Sequence, residues 1–184
     1  MKAALFIDRD GTLNVEANYL HRPEDVVLIP GVARALARVN ARGIPVVIVT
    51  NQAGIGRGMY GWEDFHAVQA RIAELLALEG AHFDAAFASP HHEKGVGEYA
   101  VADHPDRKPN PGMLLRAAQE LDLDLSRSWM VGDKAIDVEA GHRAGCRSAL
   151  VLTGYGREEA STCAADLVSE DLAQAVDRIL ESWP

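Results

Sequence analysis

The chain is poor in cysteine, in aromatic side chains and in basic charge, and it has no long apolar run. Its two cysteines, Cys146 and Cys163, stand apart and form no CxxC pair. That excludes a disulfide framework and a thiolate metal cluster, and it fits a reducing, cytoplasmic compartment. No apolar stretch approaches the roughly 18 residues that cross a bilayer. The opening run Ala3 to Ile7 is cut off by Asp8, too early for a secretory signal. Lys and Arg number 18 against 27 Asp and Glu, a formal net charge of -9, and the cations are scattered. Binding to nucleic acid or to an anionic membrane is therefore not expected, and a small-molecule partner fits better.

What is present is a full-sized core. With 184 residues, 48% of them hydrophobic, the composition suits a single domain spanning residues 1–184. A monomer is the simplest expectation. Short apolar runs at Ala3–Ile7, Pro45–Val49, Ala85–Ala88, Trp129–Val131 and Ala149–Leu152 are bounded by Gly, Asp or Asn, as buried parallel strands are; a sixth is expected at Asp166–Val168. Between them, Val32–Ala41, Trp62–Glu79, Gly112–Leu121, Ile136–Ala144 and Asp171–Leu180 space their apolar residues by three and four, as helices do. Arg34, Arg38 and Arg42 read as a solvated helix face. The alternation predicts an α/β fold: a doubly wound, mainly parallel sheet with helices on both faces and no large cap domain.

Ligand sites in such sheets lie beyond the carboxyl ends of the strands. After the first strand come Asp8-Arg9-Asp10-Gly11-Thr12; after the second, Thr50-Asn51-Gln52; after the fourth, Gly132-Asp133-Lys134, with Asp137 a turn later. Arg107-Lys108-Pro109 stands at the entrance to a helix. Asn14–Pro30 and Ser89–Pro111 are long irregular segments of the kind that serve as binding loops. Asp8, Asp10, Asp133 and Asp137 should converge at one edge, where clustered carboxylates need a cation, and an all-oxygen set favours Mg²⁺. Lys108, Thr50 and Asn51 supply donors suited to phosphoryl oxygens, so phosphoryl transfer is the chemistry indicated. Asp133 also suits a helix N-cap. Gly56, Gly58 and Gly61 spell G-x-G-x-x-G, but six residues beyond Thr50 and after the second strand, so they read as a substrate-side loop instead of a dinucleotide fingerprint.

These four motifs, in their order along the chain, resemble the haloacid dehalogenase (HAD) superfamily, and the match covers nearly the whole chain. Thr50–Gly58, Pro90-His91-His92 and Arg107–Met113 are similar to the branch holding the heptose 1,7-bisphosphate and histidinol-phosphate phosphatases. The resemblance implies an HAD-like Rossmannoid core and Mg²⁺-dependent hydrolysis of a small phosphomonoester. Asp8 would be the nucleophile and Asp10 the acid and base. Asp8, the main-chain carbonyl of Asp10 and Asp133 would hold the metal, with Asp137 behind them. Thr50, Asn51 and Lys108 would hold the phosphoryl group, and Arg57, Arg107 and Lys134 the rest of the substrate. Heptose 1,7-bisphosphate is the expected substrate and histidinol phosphate the alternative; a non-catalytic sugar-phosphate-binding module is the rival from another class. The resemblance departs at one loop. Where relatives carry the thiolates and histidine of a structural zinc site, this chain has Ser89, His91, His104 and Asp106. Structural zinc is not expected, a weaker site using the histidines and Asp106 stays open, and packing and hydrogen bonds are expected to order the loop.

Overall fold

The structure is a computed structural model that describes residues 1–183. Six strands form one wholly parallel sheet: β1 (Leu5–Ile7), β2 (Val46–Asn51), β3 (Ala85–Ser89), β4 (Trp129–Gly132), β5 (Arg147–Val151) and β6 (Leu167–Ser169), in the order β3-β2-β1-β4-β5-β6. The chain starts in the middle, winds outward to β3, then crosses back beyond β1 to β4. This reversal opens a crevice at the carboxyl ends of β1, β2 and β4. Register fixes the geometry there, pairing Ile7 with both Ile48 and Val131. Asp8 N–H donates to Val131 O at 2.9 Å and carries the ladder one residue past the strand.

The helices are α1 (Val32–Ala41), α2 (Ala53–Gly56), α3 (Trp62–Ala77), α4 (Gly112–Leu121), α5 (Ala135–Ala144), α6 (Gly156–Glu159) and α7 (Leu172–Ser182). Alternation along the strands splits the core into two layers. Leu5, Ile7, Val46, Ile48 and Val131 pack with apolar residues of α1, α3 and α7. Phe6, Val47, Val49 and Met130 pack with those of α4 and α5. Each such aliphatic or aromatic side chain, fully withdrawn from water, contributes about 1.5–3 kcal/mol, and together they are the dominant favourable contribution set against the ordering of the chain. No large cap interrupts the sheet among the described residues, and no described helix is long and apolar enough to cross a membrane.

Three differences from the sequence expectations bear on the site. β2 runs two residues further than expected, so Thr50 and Asn51 end the strand, paired with Ala88 and Ser89 of β3. Two short helices, α2 just after β2 and α6 after the loop that follows β5, are too brief to leave a hydrophobic period. The arginines of the α1 segment are exposed but not idle: Arg38 pairs with Asp177 of α7, Arg42 Nη1 donates to Leu180 O at 2.6 Å, and Arg34 Nε sits 3.2 Å from Glu79 Oε2.

Candidate active site

The first turn after β1 needs a glycine. Gly11 has φ 90°, and a Cβ there would lie 2.3 Å from Asp133 Oδ2, so only glycine lets the turn pass this close to the β4 carboxylate. The loop after β5 closes from the other side: Thr153 Oγ1 donates to Gly11 O at 2.6 Å, and Tyr155 N–H donates to Asp133 Oδ2 at 2.9 Å. Asp133 is thereby fixed by backbone from two loops. It does not cap α5. That helix begins after Lys134, whose N–H is accepted by Asp137 Oδ2 at 3.0 Å, so Asp137 is the capping carboxylate.

Lys108 reaches the centre from the long loop before α4. Its Nζ lies 2.6 Å from Asp8 Oδ1, 2.7 Å from Asp137 Oδ1 and 2.8 Å from Val49 O, so all three ammonium protons have acceptors and the side chain is buried. Burial works against the charge, but Asp137 and Asp8 outweigh it and hold Lys108 protonated well above its ordinary range. Asn51 grips the lysine main chain at two points, donating to Lys108 O at 3.1 Å and accepting from Lys108 N at 3.0 Å. Asn51 thus sets the lysine as well as lining the cavity.

Three carboxylates face that one ammonium. Asp8, Asp133 and Asp137 offer oxygens that all lie within 4.8 Å of one another. Burial, then the charges of Asp137 and Asp133, pushes the Asp8 carboxyl well up against the pull of Lys108. Burial and Asp137 push Asp133 up to about 6. Asp133 Oδ1 is buried with no partner. A buried all-oxygen set with an orphaned acceptor and more negative charge than its lysine balances fits a hard divalent cation such as Mg²⁺.

Asp10 points into a different network. Its two oxygens accept from Arg9 (Nη2 at 2.8 Å), Asn14 Nδ2 (3.0 Å) and Gln52 Nε2 (3.0 Å). Burial would raise its carboxyl, but the Arg9 charge and these hydrogen bonds outweigh it and hold Asp10 below the usual carboxylate value. Asp8, Asp10, Thr50, Asn51, Lys108, Lys134 and Asp137 together line an open cavity of about 220 Å³, walled also by Glu16, Tyr19, Gln52, Tyr60 and Tyr155. Lys134 Nζ lies over the Tyr155 ring at 4.4 Å and 3.8 Å from Glu16 Oε2. Arg57 and Arg107 do not line the cavity. Arg57 bonds the Tyr19 hydroxyl at its rim, and Arg107 Nη1 donates to His91 O at 2.8 Å.

In the loop carrying Ser89, His91, His104 and Asp106, ring stacking and hydrogen bonds join the side chains. His91 and His104 stack face to face, centroids 3.4 Å apart and rings 3° from parallel. Ser89 Oγ sits 3.4 Å from His91 Nδ1, and His104 Nδ1 accepts from Asp106 N–H at 3.1 Å. The Asp106 carboxylate is turned away to Arg116 Nη1 at 2.6 Å.

Arg9 and Gln52 stand in the sequence only as letters of the motifs and Tyr60 outside them, yet all three are buried at the site. The available signal was an arginine between two aspartates after a strand, where an unpaired buried guanidinium is not tolerated.

The family model described as HAD-hydrolase-like matches residues 106–175. The chain is 52% identical over 151 residues to the D-glycero-beta-D-manno-heptose-1,7-bisphosphate 7-phosphatase of Mesorhizobium japonicum, covering 82% of this chain and 70% of the relative. To the D-glycero-D-manno-heptose-1,7-bisphosphate 7-phosphatase of Thermosynechococcus vestitus it is 46% identical over 188 residues, covering 97% and 95%. Among solved structures, the D,D-heptose 1,7-bisphosphate phosphatase from B. bronchiseptica, complexed with magnesium and phosphate, aligns with a TM-score of 0.87 at 33% identity over 98% of this chain and 99% of that one. Identity of this order over most of the chain, on the same fold, shows that the protein belongs to the HAD-like hydrolases and is one of their phosphomonoester-cleaving members.

Proposed function

We propose that this protein removes the 7-phosphate of D-glycero-D-manno-heptose 1,7-bisphosphate through an aspartyl-phosphate intermediate, leaving heptose 1-phosphate. The observation that carries the chemistry is the Asp8–Lys108 pair, 2.6 Å apart, in a cavity shared with the second carboxyl group of Asp10. A carboxylate oxygen of Asp8 attacks phosphorus in line, the ester P–O bond breaks, and the leaving sugar oxygen takes a proton from Asp10, which the negative charge of the bound phosphate first raises from its low resting value into the protonated form. Asp10, now a carboxylate, deprotonates a water that attacks the phosphoryl group, releasing inorganic phosphate and restoring Asp8. Splitting a very slow hydrolysis into two displacements in this way lowers each barrier.

Lys108, by exchanging the proton now shared with Asp8 for a phosphoryl oxygen, and Thr50 hold the phosphoryl group, and Asn51 fixes Lys108 through its main chain. Asp8, Asp133 and the main-chain carbonyl of Asp10 would hold Mg²⁺, which when bound neutralises phosphate charge so that an anionic nucleophile can approach. Lys134 at the cavity wall, with Arg57 and Arg107 further out, contacts the remainder of the sugar phosphate. With no large cap over the crevice, loops set the specificity, and a bulky bisphosphate fits such an open site. The named substrate is supported by the curated relatives. The protein acts in the cytoplasm, a reading supported by its sparse cysteines, and as a monomer, the simplest expectation for a capless domain.

The test is phosphate release from both heptose bisphosphate anomers, histidinol phosphate and common sugar monophosphates, with Mg²⁺ or with EDTA. EDTA-sensitive turnover with a clear preference for heptose bisphosphate is expected. Indiscriminate turnover overturns the named substrate, and silence on every ester overturns the enzyme reading.

A further inference from the structure

Gln52 is buried at the cavity wall and every hydrogen-bonding valence of its side-chain amide is used. Nε2 donates one proton to Asp10 Oδ2 at 3.0 Å and the other to Thr50 Oγ1 at 2.8 Å. Oε1 accepts from the Tyr60 hydroxyl at 2.6 Å and from Arg9 Nη2 at 3.2 Å. The orientation of the amide follows from its neighbours. Turned over, its oxygen would face the Asp10 carboxylate, and its NH₂ would face a guanidinium and a phenol that already donate. Burial pushes the Tyr60 hydroxyl up to about 12, so Tyr60 keeps the proton it donates. Arg9 has no solvent exposure, and its guanidinium spans Asp10, Gln52 and, at 3.4 Å, Gln69 Oε1.

This network has two ends in the chemistry. At one end Gln52 and Arg9 hold the Asp10 carboxyl group at the cavity. At the other, Thr50 receives the Gln52 proton and keeps its own hydroxyl proton for an acceptor in the same cavity. We propose that Gln52, with its amide fixed by Tyr60 and Arg9, is the positioning residue that sets the Asp10 carboxyl group for proton transfer to the leaving oxygen. The inference rests on the phosphatase reading above and assigns Gln52 no contact with the substrate.

The test exploits leaving groups. A sugar or alkyl phosphate leaves as a strongly basic alkoxide and needs the proton from Asp10, whereas p-nitrophenolate leaves without it. Gln52→Met, close in length and without polar hydrogens, is expected to lower kcat/KM on an alkyl phosphomonoester roughly 10²-fold more than on p-nitrophenyl phosphate; kcat/KM reports transfer to Asp8 alone, so the later water attack and the Thr50 contact, common to both esters, drop out of the ratio. Tyr60→Phe keeps the ring and removes one of the two donors to Oε1, so it is expected to shift the same ratio in the same direction by a smaller factor. It also serves as the readout should Gln52→Met fail to fold by circular dichroism. Equal losses on the two esters, or no loss on the alkyl ester, overturn the inference while leaving the phosphatase reading intact. A wild-type protein silent on both esters with Mg²⁺ present overturns the phosphatase reading and the inference with it.

Discussion

Replacing Lys108 with methionine tests whether the centre of the site is an electrostatic compromise. The ammonium is buried, bonded to Asp8, Asp137 and Val49 O, and stands against three carboxylates. Methionine fills much the same volume, so packing loss is small and the cost is the charge. Removing one partner of a buried ion pair costs about 3–5 kcal/mol, because the remaining charge stays uncompensated. For a chain of this size that lowers Tm by roughly 6–20 °C. The protein can relieve the strain only by taking up protons, at about 1.4 kcal/mol for each unit by which the pKa must be exceeded. The penalty should therefore shrink as the pH falls. Thermal melts in EDTA near pH 7 and near pH 5, followed by far-ultraviolet circular dichroism, measure both effects. Adding Asp137→Asn to Lys108→Met should recover part of the loss, since asparagine keeps the oxygen that caps α5 and removes one of the stranded charges. A Lys108→Met protein melting within about 2 °C of wild type near neutral pH would refute the reasoning.

Asp8→Asn is expected to abolish phosphate release while leaving the melting curve near that of wild type; wild-type turnover would end the nucleophile assignment. Gly154→Ala should destabilise the protein and weaken Mg²⁺ binding measured by calorimetry, because φ is 53° and a Cβ would lie 2.1 Å from Asp133 Oδ2; unchanged affinity would count against Asp133 as a metal ligand held by this loop. The pH dependence of metal stabilisation has a definite sign. Asp8 and Asp133 both titrate above their ordinary values, Asp133 up to about 6, so the metal-free fold retains protons that the unfolded chain has released. The stability these two groups contribute is full below the ordinary carboxylate range near 4 and is lost as pH rises through their folded values, through about 6 for Asp133. The rise in Tm on replacing EDTA by Mg²⁺ should therefore grow from about pH 5 to pH 8, and a gain independent of pH would contradict it.

The parallel sheet was legible because its signals are local and redundant. Runs such as Pro45–Val49 and Trp129–Val131 are apolar on both faces, which only a doubly covered strand tolerates. Helical spacing in Val32–Ala41 matches the buried set Val32, Ala35, Leu36 and Val39. What the pattern missed lay at boundaries, where the energetic difference between one more paired residue and a turn is small. Thr50 and Asn51 belong to β2 because β3 continues beside them to Ser89, a pairing between segments 38 residues apart that no local window contains.

Convergence of Asp8, Lys108, Asp133 and Asp137 was legible for a topological reason: residues following parallel strands share one edge. Their division of labour was not. The sequence suits Asp133 to cap the helix and sets Asp137 behind the metal ligands. Only the path of the Thr153–Tyr155 loop, which delivers a backbone N–H to Asp133 Oδ2, leaves Asp137 free both to cap α5 and to bind Lys108. Gln52 shows the same limit more sharply. A glutamine after a strand reads as a polar turn residue; what makes it a bridge between Thr50 and Asp10 is that Tyr60 and Arg9, from two other segments, occupy its oxygen and leave its amide protons no other acceptors. A catalytic carboxylate announces itself by its chemistry, whereas a residue that only holds one in place is identified by its partners.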